Sequence, residues 1–132
     1  MKILTKQIKE KLVDNHKQQN GEKEFKAVVK LFNPIGKGTW YLSELNPETN
    51  IAFGLCCLDY KEFGYVSLDE LNDLRIAYQP VLEGNGNNRI ICPTIYYKIE
   101  RDKFFKSNKY TLNECESLWK ITSYNLKNLN NN

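Results

Sequence analysis

The residues of this chain that could carry out chemistry are few, and the first of them is a single histidine. A hydrolase with a Ser–His or Cys–His pair needs its base within hydrogen-bonding distance of the nucleophile. Only His16 could be that base, and it lies in a polar stretch that we predict to end a helix. The sequence has no Gly-x-Ser-x-Gly, phosphate-binding glycine loop or His-Glu-x-x-His motif. We therefore expect no catalytic residues and predict that the protein is not an enzyme.

Acidic side chains offer a second kind of chemistry, because carboxylates can hold Mg²⁺ in a nuclease site. The candidates are Glu44, Glu62, Glu100 and Asp102. Their spacing is not diagnostic of a metal site, and surface acids in contact with water explain them better. A carboxylate-based metal-dependent nuclease remains an alternative hypothesis, and we predict no metal or other cofactor.

Four cysteines could form disulfides or bind zinc: Cys56, Cys57, Cys92 and Cys115. No Cys-x-x-Cys pair occurs and the one histidine is far away in sequence, so the spacing does not fit a zinc site. Without a secretion signal, disulfides are also disfavoured. We interpret all four as small apolar side chains.

Residues 96–106, YYKIERDKFFK, combine cationic and aromatic side chains. Lys and Arg can neutralise phosphates, and rings can stack on unpaired bases, so this segment is a candidate nucleic-acid-binding site. Its predicted contacts are Lys98, Arg101, Lys103 and Lys106. In the alternative interpretation the rings face the core and the charges face water, with Glu100 and Asp102 pairing with the neighbouring basic groups.

Charge is unevenly distributed along the chain, although the net charge is only +3. Residues 1–30 carry a net +4 and residues 94–109 a net +3, whereas residues 42–71 hold six acids against one lysine. Such asymmetry can steer a charged partner. The acidic segment could cover the basic groove of a nuclease, and its predicted partner contacts are Trp40, Glu44 and Glu62. Trp40 is either a core residue or an exposed anchor, and alternation places it on one strand face with Leu42 and Glu44.

These side chains must be positioned by helices and strands that the pattern predicts. Leu4, Ile8 and Leu12 recur every four residues and predict a basic helix that begins after Thr5 as its N-cap. Apolar runs predict strands at 25–32, 39–45, 51–58, 63–66 and 95–99. Short turns between the first four favour an antiparallel meander with 51–58 placed centrally, and residues 76–93 contain a flexible loop or hairpin tip.

Two capping boxes predict further helices. Ser67 and Glu70 begin a short helix, and Thr111 and Glu114 begin a longer one. The apolar positions of the longer helix are Leu112, Cys115, Leu118, Trp119, Thr122, Leu126 and Leu129. We therefore predict an α+β fold, an antiparallel sheet of about five strands flanked by helices at both chain ends.

The bulk composition fits one domain over residues 1–132, with 41% hydrophobic and 27% charged residues. The apolar runs are too short to cross a bilayer, and the N-terminal residues lack the pattern of a signal peptide. We predict a cytoplasmic protein with no membrane contact.

Several segments resemble domain-of-unknown-function family 2958 in order and spacing. They are VVKLFNP (28–34), TWYLSELNP (39–47), IAFGLC (51–56), FGYVSL (63–68) and IERD (99–102). The resemblance implies an origin in a phage, plasmid or integrative element, and so a host bacterial cell. The family that it resembles has no agreed enzymatic activity, and some of its members are classed as anti-CRISPR proteins directed at Cas9.

The resemblance and the lack of catalytic groups together favour a non-enzymatic anti-CRISPR inhibitor. We expect its partner to be a CRISPR effector nuclease (a Cas protein) or the guide RNA, with no small-molecule substrate. A nucleic-acid-binding accessory protein of a phage or plasmid is the alternative from another class.

Overall fold

The computed structural model describes residues 3–18, 25–84, 86 and 88–120. Its helices are α1 (Lys6–Lys17), α2 (Leu68–Asp73) and α3, the helical residues 112–120. Its strands are β1 (Val29–Phe32), β2 (Thr39–Asn46), β3 (Ile51–Cys57), β4 (Lys61–Ser67), β5 (Ile76–Tyr78), β6 (Val81–Glu83), β7 (Arg89–Ile91), β8 (Ile95–Tyr97) and β9 (Glu100–Arg101). Within these ranges, no helix combines the length and apolar character needed to cross a membrane.

The main sheet has five strands in the order β4-β3-β2-β1-β9, and every neighbouring pair is antiparallel. The predicted α+β fold is thus confirmed, with β1 to β4 forming the meander and β3 in the interior. The predicted strand at 95–99 is present only over residues 95–97, and it does not join the main sheet. Residues 95–97 pair with β5 in a separate two-stranded sheet, and it is β9 (Glu100–Arg101) that pairs with β1 in the main sheet.

Helices cover both faces of the main sheet. On the α1 face, the buried cluster contains Leu12, Val29, Leu31, Trp40, Leu42, Leu45 and Ala52. On the α3 face, a smaller cluster contains Ala27, Tyr41, Leu55, Cys57, Leu112 and Cys115. The adjacent Cys56 and Cys57 divide between the two clusters, as strand alternation requires.

The predicted caps are confirmed by hydrogen bonds. The hydroxyl of Thr5 accepts from the N–H of Ile8 at 3.2 Å, and the hydroxyl of Ser67 accepts from the N–H of Glu70 at 3.2 Å. The box at α3 is reciprocal, because the N–H of Glu114 donates to Thr111 Oγ1 while the N–H of Thr111 donates to Glu114 Oε1. The predicted apolar positions Thr122, Leu126 and Leu129 lie outside the described residues.

The described residues between 76 and 97 form a long two-stranded hairpin, which we call the hairpin arm. β5 pairs with β8 and β6 pairs with β7, and the N–H of Cys92 donates to the carbonyl of Pro80 at 3.0 Å between the two pairs. The prediction of a hairpin tip near residues 83–88 is confirmed. The arm separates α2 from β9 in sequence.

Candidate functional site

A β-bulge in β2 decides where the carboxylate of Glu44 lies. Leu42 pairs with Gly54, but Glu44 pairs with Phe53, so Ser43 is an extra residue on β2. An extra residue turns the following side chain to the other face of the sheet. The prediction that Glu44 shares a face with Trp40 is therefore wrong, because Glu44 lies on the α3 face.

The C-terminal end of α1 is fixed against the bulge. The side-chain amide of Asn15 donates to the carbonyl of Ser43 at 2.9 Å, and both residues are buried. A buried carbonyl at a bulge needs such a donor, because the regular strand ladder is interrupted there. This bond places His16, the next residue of α1, beside Glu44.

Glu44 and His16 line the same cleft, whose volume is about 290 Å³. The other lining residues are Asn46, Thr49, Ile51, Phe53 and Tyr65. The rings of Phe53 and Tyr65 form one wall, with centroids 5.1 Å apart and planes tilted by 57°. We call this the Glu44 cleft.

The electrostatic character of the cleft comes from a buried acid. Glu44 is only 5% exposed, and this burial raises the pKa of its carboxyl, while His16 opposes the rise. An ionised carboxylate in such a place gains from a bound cation that donates hydrogen bonds, and aromatic rings favour a planar guanidinium or an ammonium group nearby. The cleft is therefore suited to bind the head group of an arginine or lysine side chain.

A second exposed site lies at the opposite edge of the sheet, in residues 102–106, which we call the basic turn. The carboxylate of Asp102 accepts from the N–H of Phe104 at 2.9 Å and lies 3.5 Å from Lys30 Nζ. These contacts fix the turn so that the ring of Phe104 is 94% exposed. Lys103 and Lys106, which flank Phe104 and Phe105 in sequence, are also exposed.

The structure divides the predicted nucleic-acid contacts. Lys98, Lys103 and Lys106 are exposed, but Arg101 is half-buried and its guanidinium donates to the carbonyl of Ile3 at 2.8 Å. Arg101 thus ties β9 to the segment that precedes α1, and part of its charge is used inside the fold.

The predicted partner contacts do not form one surface. Trp40 is 6% exposed in the α1-face cluster, so the anchor interpretation is corrected in favour of the core. Glu62 is exposed and pairs with Cys56 across β3 and β4, which places it on the α1 face. Only Glu44 lies on the α3 face, because of the bulge.

The predicted carboxylates are likewise separated. Glu44 is in its cleft, Glu62 is on the edge strand β4, and Glu100 and Asp102 are at the far edge beside β1. In the part of the chain that the structure describes, no three His, Cys, Asp or Glu side chains are grouped so that they could hold a metal ion.

Sequence reasoning missed the pairing of His16 with Glu44 and the exposure of Phe104. A signal for the first exists, since Leu42 and Leu45 both face the core although three residues apart, which requires an extra residue between them. No alternation pattern could have found the second, because Phe104 and Phe105 lie in a turn and not in an extended strand. Phe105 packs against the α3-face cluster.

Comparison with known families gives one match. The family model described as "Protein of unknown function (DUF2958)" matches residues 3–85. No curated protein and no solved structure matches the chain.

Proposed function

The chain belongs to the DUF2958 family of proteins of unknown function, and we propose that it is a non-enzymatic protein of a phage or mobile element that inhibits a CRISPR effector nuclease by binding to it. The contact that we assign to the partner is a basic side chain from the effector's nucleic-acid groove. The site that receives it is the Glu44 cleft.

The observation that carries this proposal is the buried carboxyl of Glu44 beside an aromatic wall. RNA-guided nucleases hold their heteroduplex in a positively charged channel, so their free grooves present arginine and lysine side chains. A guanidinium can donate two hydrogen bonds to one carboxylate and stack on a ring. Hydrogen bonds to a charged group contribute about 1.5–3 kcal/mol, and a cation over a ring contributes about 0.5–2 kcal/mol.

The surroundings of the cleft suit a protein partner. Tyr65 is 73% exposed at the rim, and Ile51 and Phe63 are partly exposed on the same face of the sheet. Exposed aromatic side chains around one buried polar contact are typical of the residues that dominate binding energy in protein interfaces. The cleft therefore supplies the charged contact, and its rim supplies apolar contact area.

The experiment measures binding of the full chain to a panel of purified CRISPR effector nucleases, each with and without guide RNA. We expect Glu44→Gln to weaken binding by about 30-fold or more, roughly 2 kcal/mol, because the amide cannot pair with the cation. The matched control is Glu62→Gln, which removes an exposed acid on the opposite face and should leave the affinity unchanged. DNA cleavage by the bound effector should fall in parallel with binding.

Two results would contradict the proposal. If no effector of the panel binds the wild-type chain, the assigned class of partner is wrong. If an effector binds and Glu44→Gln and Glu62→Gln weaken binding equally, the general acidic charge of the surface accounts for the affinity and the Glu44 cleft is not the contact.

A second candidate function, a nucleic-acid-binding accessory protein, rests on the exposure of Phe104 between Lys103 and Lys106. Stacking of one base on an aromatic ring is worth about 1–3 kcal/mol. We expect Phe104→Ala to weaken binding of a single-stranded oligonucleotide by about tenfold or more. Lys103→Gln should reduce the slope of log K against log salt by about one. The absence of detectable oligonucleotide binding at low salt would remove this candidate.

A further inference from the structure

The hairpin arm exposes more large apolar side chains than any other part of the fold described here. Seven of them are about half-exposed or more: Tyr78, Val81, Leu82, Ile90, Ile91, Ile95 and Tyr96. The most exposed is Ile91, at 66%. Apart from Ile76, which packs against the α1-face cluster, the arm's strands make their main contacts with each other.

The register of the arm places apolar side chains on both of its faces. Val81 lies opposite Ile91, and Leu82 lies opposite Ile90. Neighbouring residues of a strand point to opposite faces, so each face of the arm carries one of these pairs. Each pair of strands forms a two-stranded sheet, and every described strand of the arm therefore has one edge with no strand beside it.

Such an arm is poorly stabilised by itself. A two-stranded ribbon is at best marginally stable in water without further packing. The seven side chains are each about half-exposed or more, and they are divided between the two faces of the arm. A standard interface buries about 800 Å² from each partner. A dimer would therefore have to use both faces of the arm.

We propose that the arm is the contact between two copies of this chain, which form a symmetric dimer. The net charge of the arm distinguishes between the kinds of partner that could cover it. The arm carries one acid, Glu83, and one base, Arg89, which lie opposite each other in the register, so its net charge is zero. A neutral apolar surface does not complement nucleic acid or the basic groove of a nuclease, but it complements itself. A two-fold axis then places the same surface of both copies in contact.

The dimer is independent of the Glu44 cleft, because the cleft is lined by α1, β2, β3, β4 and the β2–β3 turn, none of which belongs to the arm. Each dimer would present two clefts. Failure of one proposal therefore leaves the other in place.

The experiment measures the molar mass of the full chain over a range of concentrations by sedimentation or light scattering. We expect a dimer whose dissociation constant rises by roughly tenfold or more in Ile91→Lys, as on loss of an interface anchor. The matched control is Leu58→Lys, a half-exposed aliphatic residue in the turn between β3 and β4, which should leave dissociation unchanged. Ile91→Thr serves as a second variant, because it removes apolar surface but keeps the β-branched shape that a strand favours.

Three outcomes would overturn the proposal. The wild-type chain could remain monomeric up to its solubility limit. The arm variants and Leu58→Lys could weaken the dimer equally, which would place the interface elsewhere. Finally, the arm variants could leave the molar mass unchanged but abolish binding to an effector, which would make the effector the occupant of the arm.

Discussion

Glu44 combines burial with a position at the wall of a cleft. It is 5% exposed and lines the cleft together with Phe53 and Tyr65, and its burial raises the pKa of its carboxyl. A buried carboxyl lowers the stability of the fold when it ionises, and a cation bound beside it offsets that loss. The same residue is thus a weak point of the isolated fold and the strongest candidate for a binding contact.

The raised pKa of Glu44 predicts a specific dependence of stability on pH. The pKa of a glutamate in an unfolded chain is about 4.3, so above that pH the folded state binds more protons than the unfolded state. The contribution of the protonated Glu44 carboxyl to the free energy of unfolding is complete below the unfolded pKa, and it is lost as the pH rises through the folded pKa. The free energy of unfolding of the wild type should therefore fall relative to that of Glu44→Gln over this window, as measured by urea denaturation at several pH values.

Two further variants test the cause of this dependence. Glu62→Gln leaves the carboxyl of Glu44 in place, so its free energy of unfolding should fall with pH as that of the wild type does. His16→Gln should enlarge the dependence, because it removes the group that opposes the rise in the pKa of Glu44. Parallel curves for the wild type and Glu44→Gln would show that the burial of this carboxyl has no energetic consequence.

Among the elements, β2 and its neighbour β3 depend on a close approach at the bulge. Gly54 lies opposite Leu42, and a Cβ atom added there would collide with the carbonyl oxygen of Tyr41 and lie 2.8 Å from Leu42 Cα. Both contacts are with backbone, which cannot move aside without disturbing the ladder. The bulge and the direction of Glu44 therefore depend on the absence of a side chain at residue 54.

We expect Gly54→Ala to lower the free energy of unfolding by about 2–4 kcal/mol, as overpacking against a rigid neighbour does. The control is Gly64→Ala, because Gly64 pairs directly with Gly54 on β4 but has open space where the methyl group would lie. Thermal or denaturant unfolding of both variants measures the difference. Equal losses of stability in the two variants would mean that the close approach of Gly54 to the backbone of β2 does not determine the stability of the fold.

The sequence predicts local elements better than it predicts their irregularities. The caps at Thr5, Ser67 and Thr111 are short-range interactions between residues three apart, and each is present. The bulge at Ser43 was missed because strict alternation assumes one residue per pairing position. The split of the fifth strand was missed because pairing with β5 depends on a partner distant in sequence, which no local pattern encodes.

In the whole molecule, ion pairs neutralise some of the charges in the segments that the sequence keeps apart. Lys37 pairs with Asp59 of the acidic segment 42–71, and Lys30 of the basic segment 1–30 pairs with Asp102. The net charge of a segment therefore does not identify a binding site, and the sites must be argued from local geometry. The sequence predicted the general distribution of charge, whereas only the fold identifies Glu44 and Phe104.

The pairing of β9 with β1 also affects how the chain is made. Leu31 lies beside Arg101, 70 positions later in the sequence, and the meander in between contains only neighbouring pairs. Contacts so distant along the chain delay folding, because a large loop must close first. During synthesis the four-stranded meander can assemble early, but its β1 edge stays open until the ribosome has added β9. The nascent chain is therefore exposed to unwanted strand pairing at that edge until β9 has been synthesised.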